Sequence, residues 1–302
     1  MRAITVSEFG PPSVLVPAEV ATPSPGPGQV LIEVTGAGVG PWDTKMRQGL
    51  FGPQDFPYVP GAEVSGLVTA LGDASTTFTI GEPVFGRTGF FGGYAEYAVV
   101  GADGLTQAPG GLDLEAAGAV PIGAGTAIEG LDDHLHVAAG DSVLVAGAAG
   151  GVGLFVVQIA KARGARVVAT ASPGNDEFLR NLGANEVLDY HGDWVERARG
   201  VDAAFDCVGG PTWDGCLQAV RDGGRAVTII TSPGPPSGRD AVTVSSFSAS
   251  ITAERLAAAA RLIDEGSVRV EIQERIPLDE AARAHEIVEG DHMRGKLVLI
   301  PG

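Results

Sequence analysis

The chain has 302 residues, 44% hydrophobic and 19% charged, with a formal net charge of −17. That charge repels nucleic-acid phosphates and anionic membrane surfaces, and no apolar run approaches the roughly 18 residues that cross a bilayer, so neither nucleic acid nor membrane is expected as a partner. The length suits two domains. Two cysteines, Cys207 and Cys216, are too few for a disulfide framework or a structural zinc site and read as packing residues. The opening residues show no basic segment leading into an apolar one, so a cytoplasmic location is expected.

In chain order, residues 1–115 carry strand-like runs, "VLIEVTGAGVG", "EVSGLVTALG", "EPVFGR" and "YAEYAVV", separated by Gly and Pro. They predict a compact β domain, with "TPSPGPGQ" at 22–29 as a surface loop inside it. From 114 the texture changes to Ala-rich helical sequence, followed by an apolar strand at 142–146. After the glycines of 147–153, "LFVVQIAKARG" places Leu154, Val157, Ile159 and Ala160 on a helix that ends at Gly164. Strand "RVVATA", helix "DEFLRNLG", strands "EVLDY" and "VDAAFDCVG", helix "WDGCLQAV" and strand "RAVTII" come next. Apolar strands alternating with short helices predict a doubly wound α/β domain with a parallel sheet over 116–250. The tail from 251 reads helix, strand, helix, strand, and either extends that sheet or returns to the first domain.

The stretch "VLVAGAAGGVG" follows a strand and opens a helix, which is the setting of a dinucleotide fingerprint. Written as G-x-G-x-x-G, its first position is Ala148, with Gly150 and Gly153 in the others. Gly151 adds backbone access, and Ala149 and Val152 complete the turn. Here the chain can approach a pyrophosphate, and the N–H groups of the next helix favour its charge. No Gly-Lys-Ser/Thr follows, so this is not a P-loop. The second strand ends Ala169-Thr170-Ala171-Ser172-Pro173, without the acid that binds the ribose of NAD, which favours NADPH over NADH. Ser172 and Tyr190 are candidate contacts for the 2′-phosphate. No Lys or Arg clamps it, and Asp176 and Glu177 oppose it.

Taken together, "GAGVGPWDTKMRQG" (36–49), "PYVPGAEVSGLVTALG" (57–72), "GGYAEYAVV" (92–100), "AGAAGGVG" (146–153), "LGANEVLDY" (182–190) and the terminal "RGKLVLI" make the chain resemble the medium-chain dehydrogenase/reductase superfamily, in its zinc-free quinone-oxidoreductase (zeta-crystallin-like) branch. The resemblance implies a GroES-like β-rich domain at 1–115 completed by 251–302, a Rossmann domain at 116–250, an active site in the cleft, and a homodimer. It places Thr126 near the nicotinamide and Lys296 close to the cofactor, with Cys207-Val208-Gly209 and Ile230-Thr231-Ser232 at strand ends that line the cofactor cleft. For Val208 and Ile230 the plainer reading is core packing. Zinc-dependent relatives carry a Cys in the segment matching 40–43 and a His before Glu63; here Pro41 or Trp42 and Ala62 stand there, and the four-cysteine lobe is absent. No metal site is expected. His134 and His136 are spaced like ligands but read as a solvated pair at a helix end.

The reaction this implies is hydride transfer from NADPH to a quinone or to the β-carbon of an enone, both small molecules, followed by protonation. Two departures from the family bear on it. Gly40 stands where relatives have Asn, and Phe51 where they have a Tyr; a phenyl ring offers no proton. The proton then comes from solvent or from Tyr58, Tyr94, Asp43 or Lys45. Trp42, Phe51, Phe90 and Phe91 suggest a flat apolar slot for the substrate, although Phe90 and Phe91 serve equally well as core. Two further readings keep the fold: a reductase dedicated to one biosynthetic intermediate, and a cofactor-binding redox sensor or structural protein without turnover.

Overall fold

The computed structural model describes residues 1–72, 77–230, 241–290 and 293–302. Strand β1 (Arg2–Thr5) pairs antiparallel with β2 (Val16–Glu19). The long β3 (Gln29–Val39) is the centre of a second, seven-stranded sheet, flanked by β4 (Glu63–Leu71) and β6 (Tyr97–Gly101), with β5 (Pro83–Arg87) and β7 (Leu105–Gln107) beyond β4. Ile4, Val30, Ile32, Val64, Val84 and Val100 fill its core, and a fully buried aliphatic side chain contributes about 1.5–3 kcal/mol. Helix α1 (Pro41–Arg47) leaves the end of β3 at once. Gly40 is its N-cap, Pro41 needs no hydrogen-bonding N–H in the first turn, and Asp43 accepts from the Gly40 N–H at 3.0 Å. Helix α2 (Leu114–Ala117), capped by Asp113, and α3 (Pro121–Glu129) lead onward.

The second sheet system is built from β8 (Ser142–Ala146), α4 (Gly153–Ala162), β9 (Arg166–Ala171), α5 (Asp176–Asn181), β10 (Glu186–Asp189), α6 (Trp194–Arg197), β11 (Val201–Asp206), α7 (Pro211–Ala219), β12 (Val220–Thr228) and β13 (Thr243–Ser246). All six strands run parallel in the order β10-β9-β8-β11-β12-β13. The strand order reverses between β8 and β11, the switch point at which open α/β sheets bind ligands. Burial of both faces explains the unbroken apolar runs. Helix α4 is buried from Gly153 to Ala160, and Gly164 beyond it has φ +81°, the left-handed conformation of a helix stop. Cys216 is fully buried in this core and Cys207 half-buried after β11; both thiols are free, and burial pushes both pKa values up.

The tail then forms α8 (Ala253–Asp264), β14 (Ile272–Pro277), α9 (Ala281–Glu289) and β15 (Lys296–Ile300). It returns to the seven-stranded sheet, where β15 inserts between β14 and β3. Two compact units result. One comprises Met1–Ile122, Ile251–Asp264 and Val270–Gly302, the other Gly123–Ser250 and Glu265–Arg269. The short second piece belongs there because Gln158 on α4 both donates to and accepts from the Arg269 backbone. Among the described residues no helix is long and apolar enough to cross a membrane.

Candidate active site

In the parallel unit, the turn from β8 to α4 is set by Gly147 rather than by Ala148. Gly147 has φ +74°, its carbonyl accepts from the Gly150 N–H at 3.1 Å, and a Cβ there would lie 2.9 Å from Val208 Cγ2. The sequence pattern, anchored on Ala148, overlooked it, although a glycine directly after an apolar strand was the available signal. Gly153 has no room either, since a Cβ would sit 2.3 Å from the Gly147 oxygen. Gly150 differs, with only ordinary contact at 3.4 Å. Gly150, Gly151 and Val152 are thus open backbone at a helix N-terminus, a cradle that fits a pyrophosphate, and Ala149 is buried beneath it. Gly123 on α3 packs against the Gly151 carbonyl, and Thr126, one turn on and buried, lies on the same helical face.

Ser172 and Tyr190 come together because β9 and β10 pair with Asp189 opposite Ala171. Ser172 Oγ accepts from Asn175 at 2.9 Å, and Tyr190 is exposed, its ring tilted against His191 at 4.0 Å. Asp176 is engaged by Arg180 at 2.8 Å. Val208 is 51% exposed, so it is not the core residue the sequence suggested; Ile230 is half-buried against Gly209. Thr231 and Ser232 lie outside the described residues. Sequence reading missed Asp206. Fully buried at the end of β11, it accepts from the N–H groups of Val208 and Gly209 and from Thr228, and so fixes the loop beside the glycine turn. His134 is not solvated: it stacks on Phe247 at 4.3 Å and contacts Ser245, whereas His136 binds the Asp132 carbonyl, so the two do not act as a pair.

In the β-rich unit, Trp42 stacks on two rings, Phe51 at 4.2 Å and Phe90 at 5.5 Å, with Arg87 over the Phe90 ring at 4.7 Å. Phe90 and Phe91 are not core: Phe90 is 47% exposed, and Phe91 links it to Tyr58 at 4.9 Å. Trp42 Nε1, Asp43 Oδ1 and Tyr58 Oη are buried polar atoms with no hydrogen-bond partner. Such atoms are rare, because each costs about 1–3 kcal/mol. Two of them, Trp42 Nε1 and Tyr58 Oη, belong to rings of this aromatic group and mark a place for a polar group not supplied by the chain.

Behind that wall lies a buried charged cluster that the sequence did not disclose. Lys296 is not free: its Nζ lies 2.7 Å from Glu63 Oε1, and Glu63 also accepts from the Ile122 N–H. Burial, with the Glu63 charge adding to it, raises the Asp43 pKa to about 7. Arg47 Nε–H donates to His285 Nδ1 at 3.2 Å, and His285 Nε2 lies 3.3 Å from the Tyr94 hydroxyl. Burial and Arg47 lower the His285 pKa to about 3, and burial with Asp43 and Glu63 holds the Tyr94 phenol un-ionised. Tyr94, fully buried, is therefore no direct donor to a substrate, and Lys45 is half-buried on α1.

Residues 26–110 match the alcohol dehydrogenase GroES-like domain model and residues 182–299 the zinc-binding dehydrogenase model. The chain is 36% identical to a quinone oxidoreductase of Lama guanicoe, over 99% of this chain and 97% of that protein. It belongs to the medium-chain dehydrogenase/reductase superfamily, quinone-oxidoreductase branch. An NADPH-dependent alkenal/one oxidoreductase of Arabidopsis thaliana is 32% identical, over 100% of this chain and 80% of that one. A mycobacterial protein solved with NADPH is 32% identical, with a TM-score of 0.90 and full coverage of both chains. As a member of the superfamily, the protein is an oxidoreductase acting on small molecules, and the glycine cradle fits the nicotinamide cofactor that such enzymes bind. Zinc does not fit in the same way. Gly40, Pro41, Trp42 and Ala62 carry no thiolate or imidazole, and among the described residues no group of three His, Cys, Asp or Glu could hold a metal.

Proposed function

We propose that this oxidoreductase is an NADPH-dependent, zinc-independent reductase of quinones or α,β-unsaturated carbonyls. The observation that carries the reading is the aromatic wall of Phe51, Trp42 and Phe90 with the unpartnered Trp42 Nε1 and Tyr58 Oη. A flat conjugated ring suits the wall, and its carbonyl oxygen suits the donors. The cofactor, bound at the glycine cradle, supplies a hydride. This chain's residues bind and orient: Gly150, Gly151 and Val152 for the pyrophosphate, Ser172 and Tyr190 for the 2′-phosphate, Val208 and Gly209 along the adjoining loop. Asp176 opposes the phosphate less than its charge suggests, because Arg180 neutralises it. Zinc independence is supported by the missing donors, Ala62 standing where zinc-dependent relatives have His.

The test mixes the protein with NADPH or NADH and a panel of quinones and enones, following cofactor absorbance. NADPH consumption is expected; tight NADPH binding without consumption across the panel overturns the activity, a clear NADH preference overturns the cofactor assignment, and about one zinc per purified chain overturns the metal reading. A reductase dedicated to one bulky intermediate is favoured by one observation, the open space at Gly40, where a Cβ would meet nothing within 4 Å.

A further inference from the structure

Arg87, at the end of β5, is a half-buried guanidinium without a carboxylate. Its partner across the sheet is Glu63 on β4, but that carboxylate is already held by Lys296 and the Ile122 N–H. Arg87 turns instead to the aromatic wall. Its Nε–H donates to the Gly89 carbonyl at 2.8 Å, and the guanidinium lies over Phe90 at 4.7 Å. The two terminal nitrogens are not sealed from solvent, and among the described residues they have no hydrogen-bond partner. Burial alone acts on the Arg87 pKa, lowering it, as expected where no acid stands nearby. A second basic side chain borders the same wall. Lys45 follows Trp42 by three positions on α1, so the two are neighbours on one helical face. It too is half-buried, and among the described residues its Nζ makes no ion pair or hydrogen bond. The acids of this region are turned elsewhere, Asp43 to the Gly40 N–H and Glu63 to Lys296. In a chain with a net charge of −17, two basic groups left without acids beside one aromatic surface call for an anion from outside.

We propose that the aromatic wall takes acceptors that carry a carboxylate beside their conjugated carbonyl, and that Arg87 and Lys45 are the specificity-determining residues. The inference rests on reading this wall as the place of the acceptor. With Nε held by Gly89, the free end of the guanidinium offers two parallel N–H donors, which match the two oxygens of a carboxylate. Phe90 contacts both Arg87 and Trp42, so the donors sit within one ring's width of the surface on which a flat acceptor stacks. Lys45, on the helix that carries Trp42, adds a point charge without a fixed direction. A neutral quinone gains the stacking alone and leaves the guanidinium unpaired.

The pair 2-naphthoate and 2-naphthamide, alike in shape and different in charge, tests this through quenching of Trp42 in the full chain with excess NADP+ present. Trp194 and Trp213 are buried in the parallel-sheet core, so the quenching reports the wall. Naphthoate should bind about tenfold more tightly than naphthamide, the effect of one charge-assisted hydrogen-bonded pair. The ratio should shrink as salt rises from about 0.05 to 0.5 M, a measurement that needs no variant. Arg87→Gln should abolish the preference, and Lys45→Gln should reduce it about threefold. In turnover, a carboxylated naphthoquinone should exceed the neutral quinone about tenfold in kcat/KM, through KM rather than kcat. Equal affinity of the two naphthalenes, or a preference that survives Arg87→Gln or high salt, overturns the proposal, and a ratio unmoved in Lys45→Gln overturns the part given to the lysine. Equal kcat/KM for charged and neutral quinones overturns the specificity and leaves the reductase reading standing. Failure of every acceptor, with the binding preference intact, overturns the reductase reading and leaves the anion site standing.

Discussion

Asp43 and His285 pull stability in opposite directions as pH changes. Asp43 has its pKa raised from 3.8 to about 7, so it contributes stability that is complete below 3.8 and lost as pH rises through 7. His285 has its pKa lowered from 6.5 to about 3, so its contribution is complete above 6.5 and lost as pH falls through 3. Between about pH 4 and 6.5 the two slopes cancel. Asp43→Asn removes one and exposes the other, so its unfolding free energy should fall on acidification from pH 6.5 to 4 by about 1.4 kcal/mol per unit, while the wild type stays flat. Urea unfolding at a series of pH values checks this, and a parallel slope in the wild type refutes it. Gly40 gives a second residue-level expectation. Its φ of −151° is ordinary extended backbone and its Cβ position is open. Gly40→Asn should therefore leave thermal stability within about 0.5 kcal/mol and can serve to restore the family side chain without refolding the site.

Two glycines only three positions apart where the turn enters α4, Gly150 and Gly153, answer to different constraints. Gly153→Ala drives a methyl into the Gly147 carbonyl and Ala148 backbone, neither of which can give way like a side-chain tip. It should cost about 1–3 kcal/mol in thermal or urea unfolding. Gly150→Ala meets only one contact, at 3.4 Å. Its stability should stay near wild type while NADPH affinity in calorimetry drops roughly tenfold, because the methyl occupies the approach of the pyrophosphate. Unchanged NADPH affinity in Gly150→Ala would remove the cradle from the cofactor site. This element was legible in the sequence because everything that defines it is local: an apolar strand, glycines, a helix. What the pattern could not show was that Gly147 makes the turn, since a left-handed φ is a property of the folded backbone. Nor could it show that Asp206, some 60 residues on, braces the neighbouring loop.

Across the whole molecule, the doubly wound sheet was legible from the alternation of strands and short helices, and the return of the tail to the seven-stranded sheet only from family resemblance. An apolar run such as "KLVLI" shows that a strand forms but not which edge receives it. The same limit hid the buried cluster, in which Arg47 meets His285 across 238 positions and Glu63 meets Lys296 across 233. Lys296→Met should strip Glu63 of its partner and cost about 3–5 kcal/mol. Adding Glu63→Gln should return most of it, since the amide oxygen still accepts from the Ile122 N–H; additive losses in the double variant would show that the pair is not coupled. The place of β15 between β14 and β3 also dictates an order of assembly on the ribosome. The parallel sheet has all its strands once residue 246 has emerged, whereas the sheet begun at residue 29 keeps an open edge until residues 296–300 arrive. The β-rich unit thus stays incomplete until nearly the last of the polypeptide is made, and for that interval the Ala37–Val39 end of β3, which β15 alone pairs on that side, is the part of the nascent sheet most in need of a chaperone.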